Sequence, residues 1–269
     1  MQHDILRDTS PDARVAALEA NVTGMFERYS AAPGTECAAS GGFRILTTGV
    51  RDAFFNGVTC SRAGDSGGDA GIDAVFDHFR SRNLPFHWGL MPSSLPLDLA
   101  SRLERRRPTL PLELPGMTMN LSALPSRMEP LPDVRIEEVK TRTQLEAWVN
   151  LGCKVFEMAA DPATVVALEA GLGLGTEFPG RRFLAFIDDR PAATSLLLLA
   201  GGVAGIYWVA TSPEARGRGL GRLMTAYPLF QARELGYRAA VLQSSQMAYG
   251  MYRKLGFDDC CQTCLLMWC

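Results

Sequence analysis

The sequence has no excess of charge of either sign. Its 269 residues carry 27 Lys and Arg against 29 Asp and Glu, a net charge of −2. That balance excludes the electrostatic footprint of a sequence-independent nucleic-acid binder, so no nucleic-acid partner is expected. The start, Met1-Gln2-His3-Asp4, is charged early and has no signal-peptide core, which together with the cysteines predicts a cytoplasmic protein. Those cysteines number seven, an odd and scattered set that reads as reduced thiols. Histidine is scarce: His3, His78 and His87 all lie far upstream of the C-x-x-C pair Cys261 and Cys264. A zinc site needs two further ligands at suitable spacing, so no metal is expected and the pair is assigned to packing. Gly-Lys-Ser/Thr does not occur, which excludes a Walker-type phosphate loop. One uncharged stretch, residues 191–213, is long enough to suggest a membrane span. Gly201-Gly202 breaks it at the middle, so two buried strands joined by a tight turn explain it, and no membrane partner is expected.

Glycine is plentiful where it matters. Arg216-Gly217-Arg218-Gly219-Leu220-Gly221 follows the strand-like run Ile206-Tyr207-Trp208-Val209-Ala210-Thr211. Leu220, Leu223, Met224 and Tyr227 then recur at helical spacing, so a helix begins inside the glycines. A strand, a glycine turn and a helix N-terminus form an anion site, because the first-turn N–H groups lack intrahelical partners and the helix dipole is positive there. The dinucleotide fingerprint G-x-G-x-x-G does not fit, since the third glycine comes too early and the segment lies late in the chain. Downstream, 239–243 is a short apolar run, and Met247, Met251 and Leu255 give a helical stripe closed by Gly256.

Arg216, Gly219 and Gly221 fill the pattern Arg/Gln-x-x-Gly-x-Gly, and 248–257 fills A-x-x-x-Y-x-x-x-G-F with Tyr252 at its centre. The two motifs at this separation resemble the GNAT superfamily of N-acetyltransferases, over about residues 134–269. The resemblance implies an α/β fold, a twisted mixed sheet with helices on both faces, whose fourth and fifth strands (205–211 and 239–243) splay around a pantetheine arm. It implies acetyl-CoA as acyl donor, bound through Trp208, Val209, Ala210 and Thr211 on the strand. The loop residues Arg216, Gly217, Arg218, Gly219, Leu220, Gly221 and Arg222 would hold the pyrophosphate, and Ser245 stands where the family usually has Asn. Tyr252 would act as general acid to the departing thiolate, and Val209 N–H would polarise the thioester carbonyl. The acceptor would be a small-molecule or peptide amine, and the protein a monomer or homodimer. The general base stays open among Glu157, Glu177, Asp188 and a water chain, because 201–212 holds neither carboxylate nor histidine. The alternative is a non-catalytic acyl-CoA-binding or regulatory module.

Residues 126–133, with Pro130 and Pro132, read as a linker between an N-terminal domain (1–125) and the C-terminal one (134–269). In the C-terminal part, Thr141 and Gln144 predict a capping box, and Asp161-Pro162 opens a second helix. Strands are expected at 183–187, 192–199 and 203–210. Pro228 predicts a kink in the helix after the loop. In the N-terminal part, Ser10-Pro11 opens a helix to about residue 29. Strands are expected at 43–50, 53–60, 86–91 and 117–121, with helices at 72–82 and 97–106. That order repeats the C-terminal plan and implies a degenerate second copy, lacking the glycine loop, that walls the acceptor site. His78 and His87 are assigned to packing, and Arg105-Arg106-Arg107 to a solvated helix end. Gly64-Asp65-Ser66-Gly67-Gly68 mimics a serine-protease nucleophile motif, but only His3 precedes it and its surroundings read as a surface loop.

Overall fold

A computed structural model describes residues 5–8, 10–60, 68–175 and 180–269. His3, Glu177 and Gly64-Asp65-Ser66-Gly67 therefore lie outside the described residues. Among the described residues all strands join one eleven-stranded sheet. In chain order they are β1 (Glu36–Ser40), β2 (Phe43–Thr47), β3 (Asn56–Cys60), β4 (Phe86–Leu90) and β5 (Leu110–Asn120), followed by β6 (Val134–Glu138), β7 (Gly180–Ile187), β8 (Arg190–Ala200), β9 (Val203–Thr211), β10 (Ala239–Gln243) and β11 (Asp258–Trp268). The spatial order is β1-β2-β3-β4-β11-β5-β10-β9-β8-β7-β6. β5 leaves the N-terminal strands to pair with β10, while β11 leaves the C-terminal strands to pair with β4. The two exchanged strands pair antiparallel with each other at the centre of the sheet.

Among the described residues seven helices cover the faces: α1 (Pro11–Glu27), α2 (Asp69–Ser81), α3 (Leu99–Glu104), α4 (Arg142–Val155), α5 (Pro162–Gly171), α6 (Leu220–Glu234) and α7 (Gln246–Leu255). Their starts follow from local chemistry. Ser10 Oγ accepts the Ala13 N–H ahead of Pro11, and Asp161 caps the helix opened by Pro162. The capping box of Thr141 and Gln144 is formed as expected. On one face α6 and α7 bury Leu220, Met224, Leu229 and Phe257 against the sheet. On the other, α1, α4 and α5 bury Tyr29, Leu145, Trp148 and Val165. Each such side chain contributes about 2 kcal/mol by burial. Gly201 and Gly202, both at positive φ, make the tight turn between β8 and β9. Among the described residues, no helix is long and apolar enough to cross a membrane.

Three expectations for the N-terminal part need adjustment. Residues 53–55 form a 3-10 turn and the strand starts at Asn56, because the Asp52 side chain caps that turn through the Phe54 N–H. The helix expected at 97–106 is only Leu99–Glu104. β5 begins seven residues earlier than the expected strand, at Leu110, despite Pro111 and Pro115. β1 was not expected at all. Cys260 and Cys261 sit at a bulge in β11, where Cys260 Sγ donates to Gly116 O at 3.3 Å.

The two parts are also joined by charge. Glu169 on α5 is wholly buried and receives Arg28 Nη2 at 2.8 Å and Tyr29 Oη at 2.8 Å from the end of α1. From β7, Arg182 donates Nε at 3.0 Å and Nη2 at 2.7 Å. Burial works to raise the Glu169 pKa, but the two guanidinium charges prevail and hold it at about 2.

Candidate active site

β9 and β10 run parallel but pair only at Ala204/Ala240 and Gly205/Val241. Beyond Gly205 the two strands part, and the β10-facing edge of β9 has no strand partner. The β8 side of β9 is disturbed as well. Trp208 and Val209 stand opposite the single residue Ser195, and Trp208 takes φ +53°. A bulky residue in the left-handed region is costly, by about 1–3 kcal/mol, and persists only where its surroundings enforce it. Here the Thr194 hydroxyl donates to Trp208 O at 2.7 Å. The Trp208 ring stacks on Trp148 at 4.6 Å, and Gly152 gives it room, since a Cβ there would lie 2.7 Å from the indole. The bulge thus redirects the backbone at Val209, the group expected to polarise a carbonyl.

After Thr211 a 3-10 turn (Pro213–Ala215) leads into the glycine loop. Gly217 and Gly219 take φ +78° and +84°, which side-chain-bearing residues rarely adopt. A Cβ on Gly217 would meet nothing within 4 Å, so this backbone is open to a ligand. Gly219 is the N-cap of α6, and the first helical bond is Leu223 N to Gly219 O at 3.0 Å. The N–H groups of Leu220, Gly221 and Arg222 are left without intrahelical acceptors. Leu220 is buried and anchors the turn, whereas Arg216, Arg218 and Arg222 are exposed and make no ion pair among the described residues. No acidic residue lies in the first turn. The arrangement fits a pyrophosphate: free donors, positive dipole, unmet cations and no competing carboxylate. α6 continues through Pro228 to Glu234.

Tyr252 lies on α7, 6% exposed, with its ring edge-on to Phe257. Its polar neighbour is the Thr225 hydroxyl, which itself donates to Gly221 O at 2.8 Å. Burial pushes the phenol up to about 12, so it stays protonated at neutral pH. α7 reaches the loop through Met251, whose sulfur would lie 3.2 Å from a Cβ on Gly221. Ser245 is exposed at the start of α7, and its side chain makes no capping bond. Asp188 sits exposed in the β7–β8 turn, with φ +49°. Glu157, with φ +52°, follows α4 beside Phe156, whose ring approaches Trp208 at 5.9 Å. His87 is buried with Nδ1 2.7 Å from Ala53 O, and His78 Nε2 is 2.9 Å from Thr47 Oγ1, so both bind their own surroundings. Among the described residues no group of three or more His, Cys, Asp or Glu side chains is placed to hold a metal.

A cavity of about 810 Å³ opens between residues 51–54 and 156–159, and its lining residue Phe156 is the one whose ring approaches Trp208. Asp52, Phe55, Trp148 and Phe156 belong to this neighbourhood and were not singled out from sequence. Spacing gave no signal, because they come from both ends of the chain and meet only through the exchange of β5 and β11.

Residues 147–257 match the model of the acetyltransferase (GNAT) family. A GCN5-related N-acetyltransferase from Kribbella flavida superposes with a TM-score of 0.67 at 19% identity, over 92% of this chain and 95% of its own. A tandem GNAT protein from the clavulanic acid biosynthesis pathway gives 0.58 at 13% identity, over 88% and 84%. A GCN5-related N-acetyltransferase from Sphaerobacter thermophilus gives 0.54 at 17% identity, over 74% and 65%. At these identities the likeness is one of fold, and it extends through the N-terminal half. No curated protein matches the chain by sequence.

Proposed function

From a chain that carries a GNAT-family domain at residues 147–257, we propose an acetyltransferase that moves an acetyl group from acetyl-CoA to an amine acceptor. The observation that carries this reading is the joint placement of the parted strands, the open glycine loop with three unpaired arginines, and a protonated tyrosine on the neighbouring helix. The backbone of Leu220 to Arg222 and the loop arginines bind the pyrophosphate. The free edge of β9 pairs with the pantetheine amides, and the Val209 N–H polarises the thioester carbonyl.

The acceptor reacts as a neutral amine. Its nitrogen attacks the carbonyl carbon, the new N–C bond forms, and the C–S bond breaks. Tyr252 gives its proton to the departing sulfur, and the proton leaving the nitrogen passes through solvent at the cleft and restores the phenol. Burial raises the phenol to about 12, above an ordinary thiol at about 8.5, so its proton moves uphill and only together with C–S cleavage.

The experiment measures thiol release with acetyl-CoA and a broad amine panel, beside calorimetric CoA binding. Tyr252→Phe should lower kcat about 100-fold, within the range for losing a general acid, while CoA affinity changes less than about twofold. A large loss of CoA affinity would make Tyr252 a packing residue. A second reading, an acyl-CoA-binding module without turnover, is favoured by the lack of any carboxylate or histidine over residues 201–212. CoA binding without turnover of any amine selects it.

A further inference from the structure

The cavity beside Trp208 is built by two distant parts of the chain. β9 is parallel to β10, and each step from β10 to β5, β11 and β4 is antiparallel. β4 is parallel to β3, so the N-terminal ends of β3 and β4 share a sheet edge with the C-terminal end of β9. The segments that precede those two strands therefore arrive at the edge where the acyl group would sit. Contact is direct: the Phe55 and Phe156 rings lie 6.3 and 5.9 Å from the Trp208 ring.

Its lining is aromatic with a cationic side. Phe54 and Phe156 line it, the Phe156 ring lying 5.9 Å from that of Trp208, and Phe86 and Trp268, also on the lining, stack at 5.1 Å and 15°. Asp52 is buried and spends both oxygens on backbone: Oδ1 accepts Phe54 N at 2.9 Å, and Oδ2 accepts Ala159 N at 2.8 Å. It ties the two sides of the cavity together. Of the lining arginines, Arg80 and Arg106 are paired with Asp77 and Asp73. Arg51 has no ion pair or hydrogen bond among the described residues. The remaining acid among the described lining residues is Glu157, next in the chain to Phe156.

We propose that this cavity is the acceptor subsite, and that it selects an amine whose flat apolar body carries an anionic group. The amine lies toward Glu157 and Phe156, the ring rests on the aromatic lining, and the anion meets Arg51. The inference rests on the acetyltransferase reading above. Its physical basis is that a guanidinium–anion bond adds more than a neutral one, and planar bodies stack on aromatic walls.

The probes are 4-(aminomethyl)benzoate and benzylamine, which share the ring and the amine and differ only in the carboxylate. With full-length protein and saturating acetyl-CoA, kcat/KM should be at least tenfold higher for the benzoate, carried mainly in KM. Arg51→Gln should shrink that preference below threefold, Arg51→Lys should keep part of it, and both variants should bind CoA as the native chain does. Equal kcat/KM for the two amines, or an unchanged preference in Arg51→Gln, overturns the assignment and leaves acetyl transfer standing. Absence of CoA binding sinks the acyl-CoA reading itself. Calorimetric binding of the two amines to the CoA-loaded protein reads the same preference without turnover. If neither binds, or both bind equally, the subsite is refuted there too.

Discussion

Two helices of this chain begin at equivalent points of the topology and carry opposite charge. α2 follows β3 and leads to β4, which pairs parallel with β3 at Gly57/His87 and Val58/Trp88. α6 follows β9 and leads to β10, which pairs parallel with β9 at two positions as well. The first turn of α2 holds Asp69, with Asp73 one turn on, and both are met by Arg102 and Arg106 from the segment around α3. The first turn of α6 holds no acid, and Arg216, Arg218 and Arg222 around its start make no ion pair among the described residues. A helix start whose dipole is answered by its own carboxylate has no need of an external anion. One that presents cations beside free N–H groups is incomplete until an anion arrives. If α6 holds a pyrophosphate as proposed, α2 does not repeat that chemistry at its described residues, because its charge is spent internally.

The comparison is broken most severely where the two halves depend on each other. Glu169→Gln leaves Arg28 and Arg182 buried without their shared counter-charge. The expected cost is about 3–5 kcal/mol, seen as a fall of about 10 °C in Tm by calorimetry. The pH dependence carries its own sign. A carboxylate whose folded pKa is depressed to about 2 contributes fully above its unfolded value, near 4.5, and loses that contribution as pH falls through 2. Native protein should therefore lose stability across that window, and Glu169→Gln should lose much less. His87 adds a second acid limb, because burial pushes its imidazole down to about 4. The unfolded chain takes up that proton between about pH 6.5 and 4, so stability falls as pH drops through that range.

Next in size is the conversion of one helix start into the other. Arg218→Asp with Arg222→Asp gives α6 the acidic dress of α2. CoA affinity should fall at least about 100-fold, close to 3 kcal/mol, with Tm nearly unchanged since both side chains are exposed. Titration calorimetry checks it, and native affinity should fall more steeply with salt than that of the variant. An unchanged affinity would show that backbone donors alone hold the ligand.

Which parts of this molecule were legible in the sequence follows from how local their causes are. The α6 start was readable because glycines at Gly217 and Gly219 are demanded by positive φ, and the helical spacing begins at once. Thr141 with Gln144, Asp161 with Pro162, and the Gly201-Gly202 turn are equally local, and each forms where expected. β5 was under-read because Pro111 and Pro115 argue against a strand. Their missing donors are tolerated there because β5 reaches past the end of β10, which pairs only with Gly116 to Asn120. The bulge at Trp208 left no sequence mark, since its cause is the Trp148 ring and Thr194, on other elements. The Glu169 cluster was invisible for the same reason: Arg28 lies 141 residues away in sequence. The cavity beside Trp208 needed the strand exchange before its walls could meet.

The smallest expected effect tests the comparison from the other side. Asp69→Asn with Asp73→Asn removes the internal answer to the α2 dipole and frees Arg106. Both carboxylates are more than half exposed, so the lost ion pairs cost no more than about 1 kcal/mol. CoA affinity should change less than about twofold, and titration should still give one CoA per chain. If freeing Arg106 brings a second equivalent of CoA, the carboxylates were all that kept the first helix from the same chemistry. If it does not, charge alone is insufficient, and the positive-φ glycines Gly217 and Gly219 are what open the backbone of α6 to phosphate.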